Sequence, residues 1–263
     1  MNHSTFILGL GLTLALIHSA SAETARPKTI FTENFESAGW WKSWKLKKSP
    51  RNCSLVSQAH HGKQALRIRI EKGGHLGSSL DYTFKKTLGK EPEKIYFRYY
   101  LYLGENWNYT GKMPGFGGTY NKAGWGGRPS DGTKGWSARG SGHSVGNRFQ
   151  MSSYCYHADM KGQYGDSWKW SGPLLEKGRW YCIEQYCQMN TPGKKDGILR
   201  AWVDGKQVFA KSDIRMRHNP SLKIEKIWFN IYYGGKATAP TECFIYLDDI
   251  AISNQYIGPK KEH

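Results

Sequence analysis

Along this chain, apolar and polar residues alternate in short runs. Residues 65–70, Ala-Leu-Arg-Ile-Arg-Ile, carry apolar side chains with arginines between them. An extended chain sends such neighbours to opposite faces, which predicts a half-buried strand. Residues 79–85 alternate again, and 95–103 form a long run of aromatic, strand-forming residues. Further strands are predicted at 29–32, 148–157, 180–189, 197–203, 206–211, 224–233 and 243–252. Asp204-Gly205, lying between two of these runs, is a hairpin signal. Gly, Trp and Lys crowd residues 104–146, which predicts long loops with short strands. No long helical period, internal repeat or linker interrupts the pattern. Many strands at short spacing predict an all-β fold, a two-sheet antiparallel β-sandwich of the concanavalin-like β-jelly-roll kind. Residues 23–263 are expected to form it as a single domain.

Residues 1–22 read differently. An apolar run at 6–17, too short to span a membrane, is followed by Ala20-Ser21-Ala22. That is the layout of a signal peptide cleaved before Glu23, so the mature protein is expected to be secreted, extracellular or periplasmic. No other run is long enough to span, and no membrane partner is expected. Composition sharpens the picture. With 38 Lys and Arg against 21 Asp and Glu, the formal charge is +17, and none of it lies in residues 1–22. Such an excess favours a polyanionic partner. Export favours an acidic polysaccharide over nucleic acid. Eleven Trp and sixteen Tyr suit either sugar-stacking platforms or a sandwich core. Five cysteines follow the leader. Export permits disulfides, and the odd count leaves at least one thiol unpaired in a monomer. Cys182 and Cys187 would point to opposite faces of a strand and are not expected to pair. No Cys/His spacing suggests zinc.

The candidate chemistry lies between Lys112 and Tyr156. Ser137 and Arg139 are two residues apart, so on a strand they share a face, and Tyr154 and Tyr156 repeat the spacing. A lysine, a hydroxyl with a guanidinium, and two phenols on one surface can grip a carboxylate and move protons beside it. Elimination next to a uronate carboxylate needs that charge neutralised, a base for the C5 proton and an acid for the departing oxygen. Arg suits the first task through its planar, permanently charged fork. Tyr and Lys suit the proton steps if nearby positive charge lowers their pKa values. Which of Lys112, Tyr154 and Tyr156 is base and which is acid stays open. Trp136, His143, His157 and Tyr233 are the candidate substrate contacts around this set.

Lys112-Met-Pro-Gly-Phe-Gly-Gly, Gly135-Trp-Ser-Ala-Arg and Tyr154-Cys-Tyr resemble, in order and spacing, the signature segments of polysaccharide lyase family 14 and its glucuronan-lyase-like relatives. Similar flanking pieces include Gly178-Arg-Trp-Tyr, Asp196-Gly-Ile-Leu-Arg-Ala-Trp-Val-Asp-Gly, Tyr232-Tyr-Gly-Gly and Tyr246-Leu-Asp-Asp-Ile, so the resemblance covers most of the chain after the leader. It implies a jelly-roll enzyme whose catalytic set is Lys112, Ser137, Arg139, Tyr154 and Tyr156. It also implies a secreted lyase that cleaves a polyuronate, alginate or its mannuronate part first and glucuronan second, by elimination that requires no metal. Where the family carries a bulky pair after its arginine, this chain has Gly140-Ser-Gly-His. Residues 140–147 are therefore expected to be an insert that reshapes the cleft floor. The alternative on the same fold is a non-catalytic module for acidic polysaccharides.

Two other motifs point elsewhere. Gly142-His-Ser-Val-Gly matches a nucleophile elbow, but that motif needs a preceding strand and a following helix, and neither is predicted. No pair of strand-borne carboxylates suggests a glycosidase. Glu33, Glu36 and Asp249 resemble acidic positions that hold a structural Ca²⁺ in some carbohydrate-binding jelly rolls. Asn52-Cys-Ser and Asn108-Tyr-Thr are glycosylation sequons.

Overall fold

The computed structural model describes Met1 and residues 29–261; the leader predicted at 1–22 lies, Met1 apart, outside them. In chain order the strands are β1 (Thr29–Glu33), β2 (Cys53–Val56), β3 (Ala65–Ile70), β4 (Leu76–Thr83), β5 (Lys94–Leu103), β6 (Thr110–Gly118), β7 (Trp136–Val145) and β8 (Arg148–Tyr156). They continue with β9 (Asp166–Lys169), β10 (Leu175–Glu176), β11 (Trp180–Gln188), β12 (Gly197–Val203), β13 (Lys206–Ile214), β14 (Lys226–Tyr233) and β15 (Cys243–Ser253). Among the described residues, the helical pieces are one 3-10 turn at Trp40–Lys42 and one short α-helix, α1 (Phe84–Leu88).

The strands form two antiparallel sheets. An eight-stranded sheet runs β13-β12-β11-β5-β15-β3-β2, with β1 on the free half of the β15 edge. A seven-stranded sheet runs β10-β8-β7-β6-β14-β4, with β9 also on β8. The alternation in the sequence explains which side faces in. Ile95, Phe97, Tyr99, Leu101 and Leu103 of β5 are buried on one side, where Phe97 meets Phe116 of β6 and both Phe97 and Tyr99 meet Phe229 of β14 across the gap. Apolar side chains interdigitating between two sheets are the jelly-roll core. Asp204 and Gly205, both with positive φ, turn β12 into β13 at the expected place.

Residues 104–146 differ from expectation. They carry two long strands, β6 and β7, central in the seven-stranded sheet. Their glycines lower the apparent strand propensity, yet the sheet uses them for close approach. The stretch 140–147 is strand and hairpin rather than a separate loop: β7 pairs with β8 without a break from Ser137 to Val145, and Gly146 starts a plain hairpin turn. The elbow-like serine, Ser144, therefore sits near the end of a hairpin strand. All five cysteines are buried free thiols, so the expected disulfides are not formed. Cys182 and Cys187 do lie on opposite faces of β11, beside outward Tyr100 and inward Ile95 respectively.

Candidate active site

The seven-stranded sheet turns its outer side to a cleft of about 610 Å³, and Lys112, Arg139, Tyr154 and Tyr156 all line it. Register brings them together. One cross-strand row runs Trp228, Gly115, Arg139, Tyr154 over β14, β6, β7 and β8. The next runs Lys226, Gly117, Ser137, Tyr156. Two glycines in the middle of these rows leave room on the floor. A Cβ at Gly115 would stand 2.4 Å from the Arg139 Cα, so only glycine lets the guanidinium lie across the sheet toward β14. There Arg139 covers the Trp228 ring at 4.4 Å and donates from Nη1 to Asn230 Oδ1 at 3.1 Å.

Lys112 stands at a break in the ladder. The β6 register shifts between Lys112 and Gly115, around Met113 and Pro114. From inside the sandwich, Gln185 Nε2 donates to the Pro114 carbonyl at 2.9 Å and holds the bulge. The buried Tyr109 hydroxyl reaches the carbonyls of both Lys112 and Tyr232, register partners on β6 and β14, beside the break. The Lys112 ammonium comes to rest 3.2 Å from the centre of the Tyr154 ring. Burial, aided by the Arg139 charge, brings its pKa down to about 7. The Tyr154 and Tyr156 hydroxyls are 3.4 Å apart, and the Gly165 amide donates to Tyr154 Oη at 3.1 Å. Burial pushes the Tyr156 phenol well above its usual range, so it stays protonated.

Arg139 is only 6% exposed, and its Nε has no hydrogen-bond partner. Among the described residues no carboxylate pairs with it or with Lys112. A buried cation without a counter-ion is costly, and one aimed at an open cleft is a receptor for an anion. Arg139 remains charged, with a pKa of about 10 set mainly by burial.

Ser137 shares this face, but its fully buried hydroxyl donates to the Gly124 carbonyl at 2.6 Å. It ties down the glycine-rich loop beside the cleft, and that donor is spent. Of the predicted substrate contacts, Trp136 lies on the opposite side of β7, fully buried, with its indole N–H on the Lys223 carbonyl at 3.0 Å. Tyr233 also faces the core, against Tyr109, while its neighbour Tyr232 lines the cleft. His157 is buried outside the cleft lining and paired with Asp166 at 2.8 Å. His143 shares the Arg139 face but lies farther along β7, outside the cleft lining. The sequence reading missed Trp228, Asn230, Lys226 and Tyr232 on β14, and Trp125 and Tyr164 on loops. The β14 residues carried a usable signal. Ile227, Phe229 and Ile231 are the inward set, so the positions between them had to face the other way.

The acids considered for Ca²⁺ do not fit a shared ion. Glu33 accepts from the Phe35 amide and the Ser43 hydroxyl, and Glu36 accepts from the Lys63 and Gln64 amides. Asp249 faces Lys260 and His61. The donors are used separately, and no step below runs through a metal.

Sandwich and cleft together define a jelly-roll protein with two cations, Lys112 and Arg139, at an open cleft. The Polysaccharide lyase 14 family model matches residues 58–242, and the chain belongs to that family of lyases. No curated protein sequence matches. Among solved structures, the PL-14 alginate lyase of Aplysia kurodai is 20% identical, with a TM-score of 0.70, 88% of this chain covered and 100% of that one. Alginate lyase Aly36B in complex with an alginate tetrasaccharide is 20% identical, with a TM-score of 0.66 and coverages of 89% and 95%. The endo-β-1,4-glucuronan lyase of the fungus Trichoderma reesei is 15% identical, with a TM-score of 0.60 and coverages of 87% and 96%. At these identities the likeness carries the fold.

Proposed function

We propose that this lyase is exported and cleaves a polyuronate by β-elimination, with alginate, in particular its mannuronate part, the first substrate and glucuronan the second. The observation that carries this reading is Arg139: a buried guanidinium with no carboxylate partner, facing the cleft beside a lysine whose pKa is about 7. The substrate carboxylate is the missing counter-ion. Arg139 binds it, supported by Asn230, and its neutralisation makes the C5 proton removable. Lys112, half of it neutral near pH 7, takes that proton. The C5 electron pair forms the C4–C5 double bond, and the C4–O bond breaks. The leaving oxygen takes a proton from Tyr156, whose burial keeps the phenol protonated until then. Lys112 then loses its proton to solvent and the Tyr156 phenolate takes one up, while Tyr154 holds the site together, its ring against the Lys112 ammonium and its hydroxyl 3.4 Å from that of Tyr156. Ser137 acts through the loop it anchors. Cationic side chains supply the charge neutralisation these steps need, so the scheme calls for no metal.

The test is turnover of alginate, glucuronan and polygalacturonate, followed by the unsaturated product at about 235 nm. Wild-type protein should raise the absorbance on at least one polymer, and Arg139→Ala and Lys112→Ala should not. Equal turnover by wild type and both variants would end the proposal.

A further inference from the structure

The outer side of the eight-stranded sheet, away from the cleft, carries its own cross-strand row. Arg67 on β3, Tyr246 on β15, Tyr102 on β5 and Trp180 on β11 are direct register partners. The Tyr102 ring centre is 5.2 Å from Tyr246 and 5.4 Å from Trp180. All four side chains are partly exposed. With strands spaced about 4.8 Å apart, the three aromatic residues form a strip roughly 10 Å across. Water-facing sheet positions ordinarily carry polar residues, so a strip of rings there calls for a reason.

Packing does not supply one. Lower on the same face the chain covers its own aromatics: His60 stacks on Tyr100 at 3.7 Å, and the Lys260 amide donates to the Tyr100 hydroxyl at 2.8 Å. Trp180 meets His60 edge-on at 5.8 Å, while Tyr102 and Tyr246 have no ring from outside the strip stacked on them among the described residues. At its β3 end the strip runs into a groove of about 420 Å³ lined by Arg51, Arg67, Arg69 and Phe244, with Glu242 as its single acid. Arg51 and Arg69 share Glu71, and Arg69 also pairs with Glu242 at 3.3 Å. Arg67 lies 5.1 Å from the centre of the Phe244 ring and makes one hydrogen bond, to the Ser54 hydroxyl at 3.3 Å, with no carboxylate partner among the described residues.

We propose that this strip and groove form a second, non-catalytic binding site for an acidic polysaccharide chain. Sugar rings contact Tyr246, Tyr102 and Trp180, whose rings stand at steep angles to one another, and Arg67 takes a uronate carboxylate. The site rests on the polyuronate reading of the cleft. It adds a way to hold a long polymer while the cleft on the other face acts on it. Oligosaccharides too short to reach both faces gain nothing from it.

The experiment is native gel electrophoresis of the full chain in gels containing alginate, glucuronan, polygalacturonate or neutral dextran, alongside turnover of a short oligouronate. Wild-type protein should be retarded by an acidic polymer and not by dextran. Trp180→Ala and Arg67→Gln should each weaken that retardation by about fivefold, the scale of one lost ring or charge contact. Oligouronate turnover should stay unchanged, which also shows that the variants fold. Unchanged retardation in Arg67→Gln, a change at a partly exposed position, would overturn the site, as would equal retardation by dextran. Failure of the cleft reading looks different: wild-type protein would then turn over none of the acidic polymers.

Discussion

Arg139 and Arg217 are both buried guanidiniums, 6% and 2% exposed, and they are held in opposite ways. Arg217 uses its whole fork. It donates to the carbonyls of Asn190 and Leu222 and pairs with Glu93 at 2.9 Å. Arg139 has one side-chain amide, a ring beneath it, and an unmet Nε. A cation that the fold satisfies belongs to the fold. A cation left short of partners, with its open side on a cleft, is held ready for something that arrives. Burial alone would have ranked the two residues together.

That contrast breaks most sharply by substitution. Arg217→Met should lose roughly 3–5 kcal/mol of unfolding free energy, because it leaves Glu93 and several carbonyls without their donor. Arg139→Met should keep or gain stability in the same denaturant titration and lower kcat/KM about 10³-fold. If both variants lost stability alike, Arg139 would be a structural residue. Lys112→Met extends the same logic to the second unpaired cation, with an expected fall of about 10²–10³ in kcat.

In the proposed scheme Lys112 also sets the pH dependence. Its folded pKa is about 7, against an ordinary 10.5. Turnover should therefore fall about tenfold for each pH unit below 7 and level off above it. For stability the sign runs the other way from a salt-bridged lysine. Between about 7 and 10.5 the unfolded chain binds more protons, so the lysine's contribution becomes more favourable as pH rises through that window. The wild-type minus Lys112→Met difference in unfolding free energy should show that slope, and a flat difference would contradict the low pKa.

Smaller effects refine the picture. Tyr156→Phe removes the proposed proton donor but keeps the ring, and kcat should drop about 10²-fold with KM nearly unchanged. Gly115→Ala should reduce turnover about tenfold and cost about 1–3 kcal/mol, since its methyl meets the Arg139 backbone at 2.4 Å. Full activity in Gly115→Ala would mean that the path of Arg139 across the floor is unimportant.

Much of this protein was legible before any coordinates. Alternation at 65–70 and 95–103 marked strands because burial on one side of a sheet imposes a period of two. The Ser-x-Arg and Tyr-x-Tyr spacings put each pair on one face for the same reason. The failures share a cause. Tyr232, not Tyr233, faces the cleft, and beside Trp136 it is the neighbouring Ser137 that shares the Arg139 face. A face cannot be assigned until the inward residues are known, and a slip of one position reverses it. Glycine-rich 104–146 read as loop because propensity is local, whereas β6 and β7 are central strands held by neighbours on both sides.

By itself, the order of residues determined the strand periods, the excess of positive charge and the short-range pairs of catalytic type. Tertiary structure alone decided that Lys112, Arg139 and Tyr156 meet, that Ser137 spends its hydroxyl on the Gly124 carbonyl, and that Arg139 is left without a counter-ion. Those outcomes depend on cross-strand register and on what fills the space around each group. Residues far apart in the chain supply both, and no local pattern records them.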